Sequence, residues 1–110
     1  MVSRLVEILG VRLVAVIANV KQTRTVREWI EGRDPQGNRT QILQFALQLA
    51  DAINSRFGET AAQSWFQGLN HHLLDRTPAL VLKSVADAEF DVVFQEEKQI
   101  LDAARNFLER

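Results

Sequence analysis

The chain has 110 residues, 46% apolar and 25% charged, with two prolines, five glycines and a net charge of −1. That length sets one domain, or two small helical subdomains sharing a core, and the composition is ordinary for a soluble globular protein. The lack of cysteine excludes a disulfide framework and a thiolate metal site, and fits a reducing, cytoplasmic setting.

Apolar periodicity predicts an all-α fold. A first helix is expected over Ser3–Leu9, with Ser3 as cap, Leu5, Ile8 and Leu9 on one face and Gly10 ending it. A second runs from about Arg12 to Asn19 with Leu13, Val16 and Ile17 buried; its β-branched residues admit a strand, but no other segment offers a strand to pair with. The most apolar run, Leu13 to Ala18, is far too short to span a bilayer, and Met1 to Gly10, which carries Glu7, does not read as a secretory signal. After a turn at Asn19 to Thr23, a third helix over about Thr23–Glu31 places Val26, Trp29 and Ile30 inward. Arg33 to Asn38 (RDPQGN) is the clearest loop. The strongest periodicity follows: Ile42, Leu43, Phe45, Ala46, Leu49, Ala50 and Ile53 predict a helix from Arg39 or Thr40 to Phe57. Shorter helices are expected over Thr60–Phe66 and Pro78–Ser84. The last helix, about Asp87–Leu108, carries Phe90, Val93, Phe94, Ile100, Leu101, Ala104, Phe107 and Leu108. Asp87, Glu89 and Asp91 near its start, and Arg105 and Arg110 near its end, suit the helix dipole.

Charge is unevenly distributed. Residues 1–39 hold seven basic residues against four acids, net +3, and the remainder ten acids against six bases, net −4. A polyanion-facing first part and an acidic second part are the functional reading; solvated charges are the plain one. Arg12 to Gly32 reads as helix, turn, helix, so residues 1–38 form a helix-turn-helix-like segment and residues 39–110 a C-terminal helical part. In that segment Gln22, Thr23 and Thr25 can meet base edges, and Lys21, Arg24 and Arg27 phosphates or guanine edges. The turn from Val20 to Val26 is about one residue longer than a helix-turn-helix usually has, both Ala15 and Ala18 are candidates for the small residue of the first helix, and an ordinary helical hairpin is the other reading.

The stretch Trp65 to Leu82, WFQGLNHHLLDRTPALVL, organises the second part. Trp65 and Phe66 end an apolar helix. Gly68 can take a positive φ and serve as a stop. Asn70 sits in a loop, and Thr77 and Pro78 form an N-cap and a first helical turn. A tryptophan-ended helix, a loop asparagine and Arg76-Thr77-Pro78 before a leucine-rich turn resemble the C-terminal domain of the Xre/MbcA/ParS-type antitoxins. The family's usual small apolar loop after the asparagine is here His71-His72-Leu73-Leu74-Asp75. The helix-turn-helix segment is similar to that family's N-terminal domain.

The resemblance implies an antitoxin of a type II toxin–antitoxin pair. Its partner would be a RES-domain toxin that consumes NAD, neutralised by occlusion of its substrate pocket, and operator binding would repress the antitoxin's own operon. A free-standing DNA-binding regulator and a helical scaffold are the alternatives. The last helix supplies candidate toxin contacts: Phe107 and Leu108 as apolar anchors, Arg105 and Arg110 as cations, and Glu96, Glu97 and Asp102 as acids facing a basic pocket. For Phe107 and Leu108 core packing is the competing reading. A helix-turn-helix monomer reads one half-site, so a homodimer is expected, with the apolar faces of the Ile42–Ile53 helix and the last helix as seams. His71 and His72, with Asp75 nearby, lack the spaced ligands of a metal site. No nucleophile triad, phosphate loop or dinucleotide fingerprint is present, and the expectation is a binding protein with no cofactor rather than an enzyme.

Overall fold

A computed structural model of the chain describes residues 1–109, Phe90 by its backbone alone. The periodic segments are all helical: α1 Val2–Leu9, α2 Val11–Ile17, α3 Thr23–Ile30, α4 Arg39–Phe57, α5 Glu59–Gln67, α6 Pro78–Ser84 and α7 Phe90–Leu108. No strand occurs among the described residues; the β-branched α2 is helical because nothing extended lies beside it. A 3-10 turn at His71–Leu73 is the only other regular piece described. No described helix is long and apolar enough to cross a membrane.

Two glycines set the course of the chain. Gly10 (φ 87°, ψ 152°) is both the end of α1 and the start of α2, and Gly58 (φ 95°, ψ 171°) joins α4 to α5 in the same way. That backbone region is essentially closed to residues with a β-carbon, so a glycine is needed where two helices are joined through a single residue. Tight joints bring α1 onto α2, α4 and α5, and α4 onto α5 and α7. α2 in turn packs on both α3 and α6.

One apolar core results, running from Val2 in α1 to Ala104 in α7. Its largest fully buried side chains include Leu5 and Ile8 of α1, Ile42 and Ile53 of α4, Phe66 of α5 and Ile100 of α7. The first 38 residues and the remainder therefore share a core.

Several local expectations change. Ser3 lies inside α1, which Met1 precedes without a side-chain cap. Val16 and Ile30 are exposed: Val16 lines a surface groove with Leu9 and Leu13, and Ile30 is the last residue of α3, beyond the core. Gly68 stops α5 in an extended conformation (φ −87°, ψ 149°), not with a positive φ. A β-carbon there would stand 3.0 Å from the Ser64 carbonyl oxygen, a tight approach that favours glycine. The apolar face of α4 is no dimer seam, because Ile42, Leu43, Ala46, Leu49, Ala50 and Ile53 are all buried in the chain's own core. α7 begins at Phe90, three residues later than Asp87, with Glu89 as its extended N-cap. Asp87 lies outside the helix, paired with Arg39 at 2.8 Å.

Candidate functional site

The loop between α5 and α6 is closed by its own backbone. Asn70 and Arg76 form an antiparallel bridge, with the Asn70 amide donating to the Arg76 carbonyl at 3.1 Å and the Asp75 amide donating to the Asn70 carbonyl at 3.0 Å. The Asn70 side-chain oxygen accepts from the His72 amide at 3.0 Å, starting the 3-10 turn. Arg76 sends Nε to the Leu73 carbonyl at 2.8 Å and its outer nitrogens to Glu96 of α7 at 3.4 and 3.5 Å. Thr77 caps α6, its hydroxyl accepting from the Leu80 amide at 3.1 Å, with Pro78 in the first turn. Asn70, Arg76, Thr77 and Pro78 thus each hold the loop–helix geometry, and Trp65 is buried beneath it with no partner for its indole N–H among the described residues.

The closure forces Leu74 and Asp75 into the left-handed region (φ 59° and 62°), with the Arg76 amide donating back to the Leu73 carbonyl at 3.2 Å. Aspartate tolerates that conformation; leucine does not do so readily, at a cost of about 1–2 kcal/mol. The result points an apolar side chain at water. Leu74 is 83% exposed, Leu69 77% and Leu80 52%. Leu69 and Leu80 line a shallow groove of about 320 Å³ together with Asp75, Thr77 and Val81. A second hollow of about 300 Å³ runs from Leu69, His71 and His72 to Asn106 and Phe107, so the loop and the end of α7 form one continuous surface. Leu69, Leu74 and Leu80 were missing from the sequence-derived site; the signal was a Leu-Leu pair inside a loop and a lone leucine after the helix stop.

The predicted contacts on α7 divide. Glu96 is paired with Arg76, and Glu97 accepts a hydrogen bond from Gln41 of α4 at 3.0 Å. Burial raises the Glu97 carboxyl above its ordinary 4.5, only partly opposed by the Gln41 bond, and its second oxygen is buried without a partner among the described residues. Phe107 is half-buried, edge-on to Phe57 at 5.2 Å and tilted over Trp65 at 6.4 Å. Leu108 is half-buried against the core, while Asp102 and Arg105 are exposed. Arg110 lies outside the described residues.

At the other end, α2, a turn and α3 follow in the expected order, and Asn19 makes the turn with φ 56°. Val26 and Trp29 are buried. Lys21, Gln22, Arg24 and Arg27 are exposed, and Thr23 and Thr25 are half-buried. Arg27 reaches the Thr23 hydroxyl at 3.4 Å, and Arg24 stands 3.9 Å from Glu28, whose other oxygen is held by Arg33 at 2.9 Å. His71 and His72 are exposed with rings 4.1 Å apart, and no group of three or more candidate metal ligands occurs among the described residues.

No family model, no curated protein and no solved structure matches this chain.

Proposed function

We propose that this protein is the antitoxin of a type II toxin–antitoxin pair, neutralising a RES-domain, NAD-consuming toxin by covering its substrate pocket. The observation that carries the reading is the set of exposed leucines in and beside the closed loop. Leu69, Leu74 and Leu80 stand out from the stretch that resembles the antitoxin signature, and one of them is held there against its own backbone preference. Backbone strain persists only where the surroundings impose it, and it concentrates at binding and catalytic sites. A leucine kept in water by a strained, internally bonded loop, with Leu69 and Leu80 exposed on either side of that loop, suits a partner surface better than it suits the free chain. The neighbouring end of α7 contributes Asn106 and Phe107 to the adjoining hollow, and Asp102 and Arg105 are exposed on the same helix. Glu96 supports the loop through Arg76, and Phe107 packs on Trp65 beside it.

Operator binding through Lys21, Gln22, Thr23, Arg24, Thr25 and Arg27 belongs to the same proposal. It is supported by the exposed cations of α3 and the left-handed turn at Asn19. These features also favour the second reading, a DNA-binding regulator without a toxin. A homodimer remains part of the proposal; with the α4 face buried, Val92 and Phe94 are exposed large apolar residues among the described side chains of α7.

The test is inhibition. The full chain should abolish NAD consumption by the RES-type toxin encoded beside it and co-purify with that toxin, and Leu74→Asp should weaken both. A genome without such a neighbour, or a neighbour whose NADase activity is untouched by excess protein, sinks the antitoxin reading and leaves the regulator.

A further inference from the structure

A buried tryptophan usually gives its indole N–H a partner. Trp65 is only 7% exposed, and its Nε1 is buried with no hydrogen-bond partner among the described residues. A donor in that condition calls for a physical reason, and a molecule that completes the bond is one. The surroundings supply the outline of that molecule. Trp65 lines the hollow of about 300 Å³ between the α5–α6 loop and the end of α7, a space at the lower end of the range for small-molecule sites. Room is left there because Ala61, Gly68 and Ala103, which also line it, have little or no side chain. Aromatic surface borders the rest: Trp65, Phe107 and the His71–His72 pair, whose rings are 4.1 Å apart. Flat aromatic rings meet such surface in offset or edge-on contact.

Charge narrows the class further. Among the described residues no lysine, arginine, aspartate or glutamate lines the hollow. An ionised ligand would give up water there without a charged partner, a cost that an uncharged one avoids. Two polar groups address the ligand's edge. Trp65 offers a donor. Asn106 donates its side-chain nitrogen to the Asp102 carbonyl at 3.0 Å, which leaves its side-chain oxygen as an acceptor.

We propose that this hollow is a binding site for a flat, uncharged heteroaromatic molecule whose edge carries both a hydrogen-bond acceptor and a donor. The acceptor takes the Trp65 N–H, the donor meets the Asn106 oxygen, and the ring lies against Phe107. Phe107, in the last turn of α7, is tilted over the indole at 6.4 Å and is the side chain that moves aside to admit the acceptor. Adjustments of that size are common on binding. The site belongs to the free chain and does not depend on the antitoxin reading, although it adjoins the surface proposed for the toxin.

The experiment titrates the full chain, alone in solution, with 2-quinolone, which is flat and uncharged and has a carbonyl beside a ring N–H. Proton–nitrogen correlation NMR follows the indole N–H resonances of Trp29 and Trp65, assigned with Trp29→Phe. The Trp65 resonance should move downfield and saturate with a Kd below about 1 mM, a modest affinity for a ligand of this size, while that of Trp29 stays in place. Indole, a bicycle of similar size without the acceptor, should not move it downfield, and charged 2-naphthoate should bind several-fold more weakly. Trp65→Phe keeps an aromatic ring and removes the donor. It should weaken 2-quinolone roughly three- to tenfold, the worth of one neutral hydrogen bond, read from the ligand's own resonances. Should that variant fail to fold, Asn106→Leu, at an exposed position, carries the test with a loss of the same order. The proposal is overturned by a Trp65 resonance that 2-quinolone leaves unmoved, by an N–H already hydrogen-bonded to water in the free chain and unchanged on titration, by equal responses to indole or 2-naphthoate, or by a folded variant that binds as wild type does. No toxin enters the readout, so failure here leaves the antitoxin reading standing.

Discussion

Replacing Leu74 with asparagine should make the protein more stable and, on the proposed antitoxin reading, a worse inhibitor at once. The left-handed conformation at Leu74 (φ 59°, ψ 42°) costs a leucine about 1–2 kcal/mol, most of which asparagine avoids. Against that stands the apolar area that Leu74 buries in the free chain, and at 83% exposure this is small. About one-sixth of a leucine's roughly 2 kcal/mol of burial is lost, or ~0.3 kcal/mol. The balance favours the variant by about 0.5–1 kcal/mol, a rise in melting temperature of roughly 2–5 °C for a domain of this size. In the proposed toxin complex the sign reverses. Full burial of the leucine at the interface contributes about 1.5–3 kcal/mol, so its loss weakens binding by roughly 10- to 100-fold. Thermal unfolding by circular dichroism and titration of toxin NADase activity read the two effects separately. A Leu74→Asn protein that melts lower, or that inhibits as well as wild type, would refute the link between loop strain and partner binding.

Thr77→Ala removes the hydroxyl that accepts from the Leu80 amide and should cost about 1 kcal/mol in urea unfolding, with Thr77→Ser close to wild type. Glu97→Gln should stabilise the protein near neutral pH. Burial raises the folded pKa of Glu97 above 4.5, so the wild type loses stability as pH climbs from 4.5 through that raised value, and the two proteins should converge below it; urea midpoints across this range decide the point. Arg24→Ala combined with Arg27→Ala should weaken promoter binding and lower the salt slope by about two units, and an unchanged slope would remove α3 from the DNA interface. Asp87 behaves oppositely to Glu97. The hydrogen bond and charge of Arg39 hold its pKa below the ordinary 3.8, so the pair stabilises the fold above that value and the contribution fades as pH falls through the lowered one; Asp87→Asn should flatten this acid limb in a pH series of melting curves.

The helices were legible because α4 and α7 are long enough for their periodicity to outweigh local propensity, and because Pro78 and Thr77 carry cap chemistry that acts within a few residues. What the pattern could not give was the partner of each polar group. Asp87 has the charge and position of a helix-dipole residue, yet its role is set by Arg39, 48 residues away. Glu96 and Glu97 read as free acids on an exposed helix until Arg76 and Gln41 are brought beside them. The loop misled in the opposite direction. Leu74 follows a buried leucine, yet a backbone closed by Asn70 and Arg76 turns it outward. Hydrophobicity alone holds no information about such a reversal, because the cause lies in main-chain bonds between residues six apart.

The shared packing of α2 against α3 and α6 constrains how this protein can change over evolutionary time. A regulator with separable modules can acquire a new partner by recombination, since either half survives transplantation. Here the helix that precedes the proposed DNA-reading element is also a wall for the helix that bears the proposed toxin contacts. Grafting one half onto a foreign companion would leave α2 or α6 with an unmatched apolar face. New specificity has to arise by substitution on outward positions such as Leu69, Leu74 and Leu80 on one side and Arg24 and Arg27 on the other. The inward residues of α2 and α6 are left to drift only in concert.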